Sequence, residues 1–519
     1  MKTDTAVVFN GIDGASGSYL LPPMPLGQLS SRARGTSGDI DKNHLTELRW
    51  WRDRISEATF APKEGVDAED LAEAGWGVIF AEDADPAVRD ALDELLAHRR
   101  GQATRLRQHR YREFVGENGY RRGESKLDFL VRHGVGPGPA DPDRVPYYLL
   151  IVGDPETIPY SFQYQLDVQY AVGRIHFDRI AGYAAYARSV VAAETEPPAR
   201  PRRVVLFATQ NRNDTATALS AAELVTPLSE QLADVGSGWQ VQTVLGEEAV
   251  KQRLIAMLGG DETPALLLTA SHGAGFPSDD RRQPHHQGAL VCQDWPGPLE
   301  WHGPLAEGHY LSAGDIGDDA RLHGLVAFHF ACFGAGTPRR DGYADSTGPE
   351  SELTPRAFVA ALPKRLLGHE RGGALAVVGH VDRALTYSFR WPGAGGQTEV
   401  YRACLARLMR GHRIGSAFEY FNTRYIELSS ELDVAREQAK LGQPANLHTL
   451  AALWTATNDA RCFTVLGDPA LRLPGAVGAA GVGGAAGVGG AVGVGGAAGV
   501  GGAAGVGGAV GAVGAGGKE

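Results

Sequence analysis

The sequence predicts an α/β protein, a three-layer α/β/α sandwich of two tandem subdomains followed by a disordered Gly/Ala/Val tail. Three observations carry this. The runs Tyr147–Val152, Val204–Ala208, Ala265–Ala270 and Leu325–Ala331 are short and continuously apolar, the mark of strands covered on both faces of a parallel sheet. Segments of helical character lie between them, and strand–helix alternation places helices on the sheet's faces. The length, 519 residues, exceeds what one hydrophobic core usually serves, so two or three domains are expected.

In chain order, residues 1–60 form an N-terminal arm or a pro-segment. Asn10-Gly-Ile-Asp-Gly14 and Leu21-Pro-Pro-Met-Pro25 read as turns and extended chain, which favours an irregular arm over a cleft-filling pro-segment. Residues 43–60 are rich in Leu, Trp and Arg and read as helix. A first subdomain then covers 61–200. Gly75–Ala81 is a strand, Asp85–Arg99 a helix opened by Asp and Pro, Lys126–His133 a helix, Tyr147–Val152 and Ala171–Ile175 strands, and Arg179–Glu194 a helix. Glu196–Pro201 is a linker.

The second subdomain, 201–474, alternates strand Val204–Ala208, helix Ala216–Leu232, strand Gln240–Leu245, helix Glu247–Leu258 and strand Ala265–Ala270. Leu325–Ala331 is the next strand, Pro355–Leu367 a helix and Ala374–Gly379 a strand. Helices Glu399–Arg410 and Ile414–Leu432 precede a final strand, Cys462–Leu466. Residues 274–323, rich in Gly, Pro, Asp, His and Arg, read as a flap or binding loop. From 475 to 519 the chain repeats Gly, Ala and Val without Leu, Phe or Trp. Such a segment has little to bury and much conformational entropy to lose.

A formal charge of −11 is modest for this length and argues against nucleic-acid binding. Cys292, Cys332, Cys404 and Cys462 show no CxxC spacing and make no disulfide framework. The first residues lack a signal-like apolar core, and no span of the folded region has the apolar length of a membrane helix. These features together predict a cytoplasmic protein without membrane contact.

Two segments hold the chemistry. Leu266-Leu-Leu-Thr-Ala-Ser-His272-Gly273 and Leu325-Val-Ala-Phe-His-Phe-Ala-Cys332-Phe-Gly334 are strand-like runs, each ending in a reactive residue close to glycine. Ligands of parallel sheets bind beyond the carboxyl ends of the strands, so neighbouring strands would put His272 beside Cys332. An imidazole next to a thiol supplies the base that a weakly ionised nucleophile needs. Gly273 admits close backbone approach, and the Gly273 and Cys332 amides would hold an oxyanion. His329 lies three residues before Cys332, hence on the opposite face of the strand, and is the poorer partner. Asp154 and Asp468, each in a Gly-Asp-Pro turn, read as turn residues.

These motifs resemble the caspase-like (clan CD) cysteine peptidases, nearest the gingipain type and more distantly the CHAT and separase branch. Tyr147-Tyr-Leu-Leu-Ile-Val-Gly153-Asp154, Tyr170-Ala-Val-Gly173-Arg174 and Phe463-Thr-Val-Leu-Gly467-Asp468-Pro469 extend the resemblance over residues 70–474. The interval from His272 to Cys332 is long for the family. The resemblance implies a cysteine endopeptidase working with a His272–Cys332 dyad, with no third acid assigned, on a protein or peptide substrate. A regulatory protein partner and a role in bacterial defence are implied at family level only. It also implies that Asp382, in His380-Val-Asp382-Arg383 after strand Ala374–Gly379, selects a basic residue before the cleaved bond, with pairing to Arg383 or helix capping as the alternative.

No cofactor is required by this chemistry. His285, His286, His302 and His309 match no zinc spacing, so no metal site is assigned. Calcium serves some caspase-like peptidases, and Asp279, Asp280, Asp315, Asp318 and Asp319 are acidic, but no EF-hand pattern supports it. Two other functions compete: a non-proteolytic caspase-like scaffold or sensor binding a protein partner, and an acyltransferase or other thiol hydrolase. The intact His-Gly and Cys-Phe-Gly motifs favour the peptidase, and the missing Gly-x-Cys-x-Gly elbow disfavours the last.

Overall fold

Ten short runs of the chain become strands of a single sheet: β1 (Trp76–Phe80), β2 (Tyr111–Phe114), β3 (Tyr148–Val152), β4 (Ala171–Ile175), β5 (Arg203–Ala208), β6 (Gln240–Leu245), β7 (Leu266–Ala270), β8 (Val326–Phe330), β9 (Ala376–His380) and β10 (Phe463–Gly467). Their order is β2-β1-β3-β4-β10-β9-β8-β7-β5-β6. The structure, a computed structural model, describes residues 6–35, 44, 47–48, 62–196, 200–235, 238–343, 352–441 and 446–476. Most of the predicted helix at 43–60, the centre of the linker and nearly all of the Gly/Ala/Val tail lie outside these residues.

The sheet is mostly parallel. β6, β5, β7, β8 and β9 form one parallel set, as do β2, β1, β3 and β4. β10 joins the two sets, running antiparallel to β9 and meeting β4 where Leu466 pairs with Arg174. The two predicted subdomains thus share one continuous sheet.

Alternate residues of the second set divide between two cores, which is how a strand period of two makes three layers. Val205, Phe207, Leu267, Ala327 and Val377 face one core, with Leu254, Met257, Leu362 and Leu366 from helices Lys251–Met257 and Ala361–Leu367. Val204, Leu206, Leu266, Leu268, Phe328 and Val378 face the other, with Leu228, Leu405 and Phe418 from the opposite helical layer. Each fully buried Leu or Phe contributes roughly 1.5–3 kcal/mol.

Several elements differ from expectation. β2 is an edge strand (Tyr-Arg-Glu-Phe) with only Phe114 buried, so it lacks an apolar run. Helices Tyr160–Asp167 and Leu447–Arg461 also form, and helix Ile414–Lys440 runs past the predicted Leu432. In the segment expected as helix from Pro355, Phe358–Val359 instead pairs with Gly336–Thr337, and the helix starts at Ala361. The predicted helix 216–232 contains a π turn, Ser220–Val225, immediately before Pro227, where the missing proline N–H breaks the regular ladder.

The 274–323 segment is more ordered than a flap. Gly273–Gly275, Leu290–Val291 and Tyr310–Leu311 join Gly11–Asp13 in a four-stranded sheet. Ile12, Ala274, Val291, Trp295, Leu305 and Tyr310 fill a small core beneath it. Strands of two or three residues cannot show a period, which is why composition alone suggested a loop.

Candidate active site

β7 and β8 pair in parallel with Ala270 opposite Phe330, and the same register continued by two residues brings His272 level with Cys332. Both are fully buried. Gly273 is required here: a Cβ at this position would fall 1.8 Å from the Cys332 carbonyl oxygen. Beyond Cys332 the backbone turns sharply, with Phe333 at a φ of 59°. A non-glycine residue in that region costs about 1–3 kcal/mol. Two bonds to the end of β9 hold it there: the Phe333 N–H donates to the Asp382 carbonyl (2.8 Å) and the Ala335 N–H to that of His380 (2.8 Å).

Asp214, which sequence reasoning missed, lies against His272. It follows β5, and its Oδ2 lies 2.6 Å from His272 Nε2, both side chains being wholly buried. Thr217 donates to the same oxygen (2.8 Å), while the Tyr19 hydroxyl and the Ala216 N–H donate to Oδ1 (2.8 and 3.1 Å). Burial pushes the Asp214 carboxyl up. The neighbouring imidazole of His272 and the hydrogen bonds from His272, Thr217 and Tyr19 outweigh it and hold the group below its usual range. An ionised Asp214 assigns the proton to Nε2, which leaves Nδ1 as the basic lone pair. Nδ1 is buried and has no partner among the described residues. Trp295 and Tyr19 meet the imidazole edge-on and fix its plane.

The Cys332 thiol receives the Ala384 N–H at 3.3 Å. Burial pushes its pKa up to about 12, against the opposing effects of the Ala384 amide and the Arg383 charge.

The predicted oxyanion donors converge. The Gly273 N–H (2.9 Å) and the Cys332 N–H (3.1 Å) both donate to one acceptor, the main-chain carbonyl of Asn10. The N-terminal arm, expected as an irregular arm packed on the domain, therefore crosses the strand ends at Gly273 and Cys332. Phe9 bridges antiparallel to Leu385. The Asn10 N–H donates to the Ala384 carbonyl (2.9 Å), and the Thr386 N–H to that of Val8 (3.2 Å). Past the dyad, Gly11, Ile12 and Asp13 run parallel to Gly273, Ala274 and Gly275. Asp459 steadies the segment Ala384–Ser388, accepting from the Leu385 N–H (3.0 Å) and the Ser388 hydroxyl (2.6 Å).

Asp382 sits two residues beyond β9, fully buried, and its carboxyl accepts from the Arg383 N–H (2.8 Å) and guanidinium (3.4 Å). Arg383 is also held by Asp341 (2.6 and 2.9 Å). Burial raises the Asp382 carboxyl above its usual range despite Arg383. Asp382 lines a cavity of about 460 Å³ with Tyr160, Tyr164, Asp341 and Arg461.

His329 is buried opposite Cys332, and burial lowers its pKa to about 4. Asp468 bonds Trp76 and Arg99 (2.9 and 2.6 Å), and Asp154 accepts the Glu156 N–H (2.8 Å), so both act structurally. Of the loop histidines, His286 meets the Tyr310 hydroxyl and His309 stands edge-on to Trp301. Asp280 pairs with Arg282, Asp315 with Lys251 and Asp318 with Arg365. Among the described residues no three His, Cys, Asp or Glu side chains are grouped to hold a metal ion, and no helix is long and apolar enough to cross a membrane.

No protein-family model and no curated protein matches the chain. Solved structures resemble it at low identity. One is described as the structure of a protease, 10% identical, with a TM-score of 0.42 over 78% of this chain and 80% of that one. Another is the Arg-specific cysteine proteinase gingipain R, 12% identical, with a TM-score of 0.41 over 80% of each chain. The complex of Porphyromonas gingivalis RgpB pro- and mature domains is 11% identical, with a TM-score of 0.42 over 77% of this chain and 79% of that one.

Proposed function

We propose that this chain is a cysteine endopeptidase in which Cys332 attacks a peptide carbonyl and His272, oriented by Asp214, carries the proton. One observation supports this reading above the others: two amides, from Gly273 and Cys332, meet on a single peptide carbonyl next to the buried thiol. A substrate carbonyl in that place would gain negative charge in the tetrahedral state. Each donor there is worth about 2.7–4 kcal/mol of barrier. Nδ1 of His272 takes the thiol proton and returns it to the leaving amine. Water then hydrolyses the thioester. The extended segment Ala384–Leu385 and the Thr386 N–H receive the substrate backbone on the side before the cleaved bond, and Gly273–Gly275 on the side after it.

Asp382, as selector of a basic residue, would have to exchange Arg383 for the substrate's cation, because its carboxyl already holds Arg383. A peptide library with Arg, Lys, Asn, Asp and Leu before the cleaved bond measures that preference.

The decisive test compares wild type with Cys332→Ala on such a library, with a peptidyl electrophile as active-site label. Hydrolysis and the label on Cys332 are both expected to vanish in the variant. Turnover that survives Cys332→Ala overturns the mechanism, and a wild type without any hydrolysis supports the non-proteolytic alternative.

A further inference from the structure

The two edges of the ten-stranded sheet are built differently. β2, at one end, is a short strand carrying Arg112 and Glu113, and Glu113 is bound by Arg89 (2.7 Å) and Arg100 (2.6 Å). Charges of this kind guard an edge against further pairing. β6, at the other end beside β5, reads Gln240-Val-Gln-Thr-Val-Leu245, without a charge or a proline.

The register tells which backbone groups of β6 point outward. The Gln240 N–H donates to the Arg202 carbonyl (2.8 Å), so Gln240, Gln242 and Val244 turn their amides and carbonyls toward β5. Those of Val241, Thr243 and Leu245 point away from the sheet, because the direction alternates along a strand.

We propose that β6 is a self-pairing edge, to which a second copy of this chain adds in antiparallel register about a two-fold axis at Thr243. In that register Val241 faces Leu245 of the second copy, and Thr243 faces its own equivalent. Each of these pairs exchanges both its N–H···O bonds. Any other antiparallel register leaves one of the three outward residues unpaired. Val241 and Leu245 are half-buried against the core that holds Leu228 and Leu232 of helix Thr226–Ala233. Their contact across the axis carries that apolar layer from one copy into the other.

Charge favours a second copy over an unrelated extended peptide. Glu247 and Glu248 are exposed just past the end of β6. The Arg202 guanidinium reaches the strand's beginning, where a Cβ at Gly238 would stand 3.4 Å from its Nη1. None of the three makes an ion pair among the described residues. Antiparallel pairing brings the acidic end of one copy to the cationic end of the other, and symmetry does so twice. A patch that complements itself in this way makes a closed, isologous interface. The guarded β2 edge then stops assembly at two copies. His272 and Cys332 lie past the carboxyl ends of strands parallel to β6. The second copy is turned over, so the two sites open from opposite edges of the joined sheet.

Sedimentation velocity of the full chain between about 1 and 50 μM reads the association, with a thermal melt to confirm folding. Wild type is expected to pass from monomer to dimer over that range, with the Val241, Thr243 and Leu245 amides protected from hydrogen exchange in the dimer. Thr243→Pro removes an outward N–H and no bond to β5, and Thr243→Lys sets two cations against each other on the axis; both should remain folded monomers. Arg202→Glu should weaken association by about tenfold or more, and adding Glu247→Arg and Glu248→Arg should restore it. A wild type that is monomeric throughout, or a dimer indifferent to both Thr243 substitutions, overturns the inference. A monomer whose edge amides are protected only on adding an unrelated strand-forming peptide gives the edge to a foreign strand and overturns it equally. Failure of the charge reversals to rescue Arg202→Glu overturns the register.

Discussion

Asp214 Oδ2 and His272 Nε2 lie 2.6 Å apart with both side chains wholly buried, so one carboxylate orients the imidazole. Asp214→Asn keeps the shape but lets the imidazole adopt the wrong tautomer. Peptide turnover should fall about 10²–10⁴-fold with little change in KM. Steady-state kinetics with a thermal melt checks this, and unchanged kcat removes Asp214 from the mechanism.

The same pair gives a pH dependence with a definite sign. The folded carboxyl of Asp214 lies below its unfolded value of about 3.9. Its contribution to stability is present above that unfolded value and is lost as pH falls through the lower folded one. Urea midpoints between pH 6 and pH 2 should therefore fall more steeply for wild type than for Asp214→Asn.

Gly273→Ala should abolish turnover while leaving the rest of the sheet folded. The added Cβ would meet the Cys332 carbonyl at 1.8 Å, forcing apart the two amides that share one acceptor. A loss of at least about 10²-fold in kcat is expected when an oxyanion donor is displaced.

With the arm docked, the Cys332 thiol is raised to about 12 by burial, and burial likewise raises Cys404 to about 12. Iodoacetamide at pH 8 should accordingly label wild type slowly. Gly11→Leu places a side chain against Leu20 and Sγ, displaces the arm and should speed alkylation at Cys332 by about tenfold or more, as thiolate becomes accessible. Peptide mass spectrometry locates the label; equal rates in both proteins would mean the arm does not shield the thiol.

Arg99 is completely buried between Asp468 at the end of β10 and Glu194 of the first subdomain. Glu194 still pairs with the guanidinium when Asp468 is removed, but the buried Arg99 Nε–H and Trp76 indole N–H lose their acceptor, so Asp468→Ala should destabilise the protein by about 1–3 kcal/mol. A urea unfolding curve measures this.

Much of this arrangement could be read from the chain because β3, β5, β7, β8 and β9 are buried on both faces and spell that out in mostly apolar runs. The His272–Gly273 and Cys332–Phe333 strand ends were legible for the same reason. Asp214 was not: an Asp before Thr215-Ala-Thr is an ordinary helix cap, and it does cap Ala216. Its second bond, to His272, depends on β5 lying next to β7, which no local pattern encodes. The path of Val8–Asp13 was hidden similarly, since its partners at Gly273–Gly275 and Leu385 are more than two hundred residues away.

The place of β10 has a consequence for how the molecule comes into being. This strand, Phe463–Gly467, is the last in the sequence of the ten, yet it lies between β4 and β9. The halves of the sheet can assemble their local strand–helix units during synthesis, but they cannot join until the ribosome has delivered residue 467. Closure then depends on contacts of very large sequence separation, which form slowly. A nascent chain consequently spends its whole translation with the central seam open, and the finished layered body arises only in one late step.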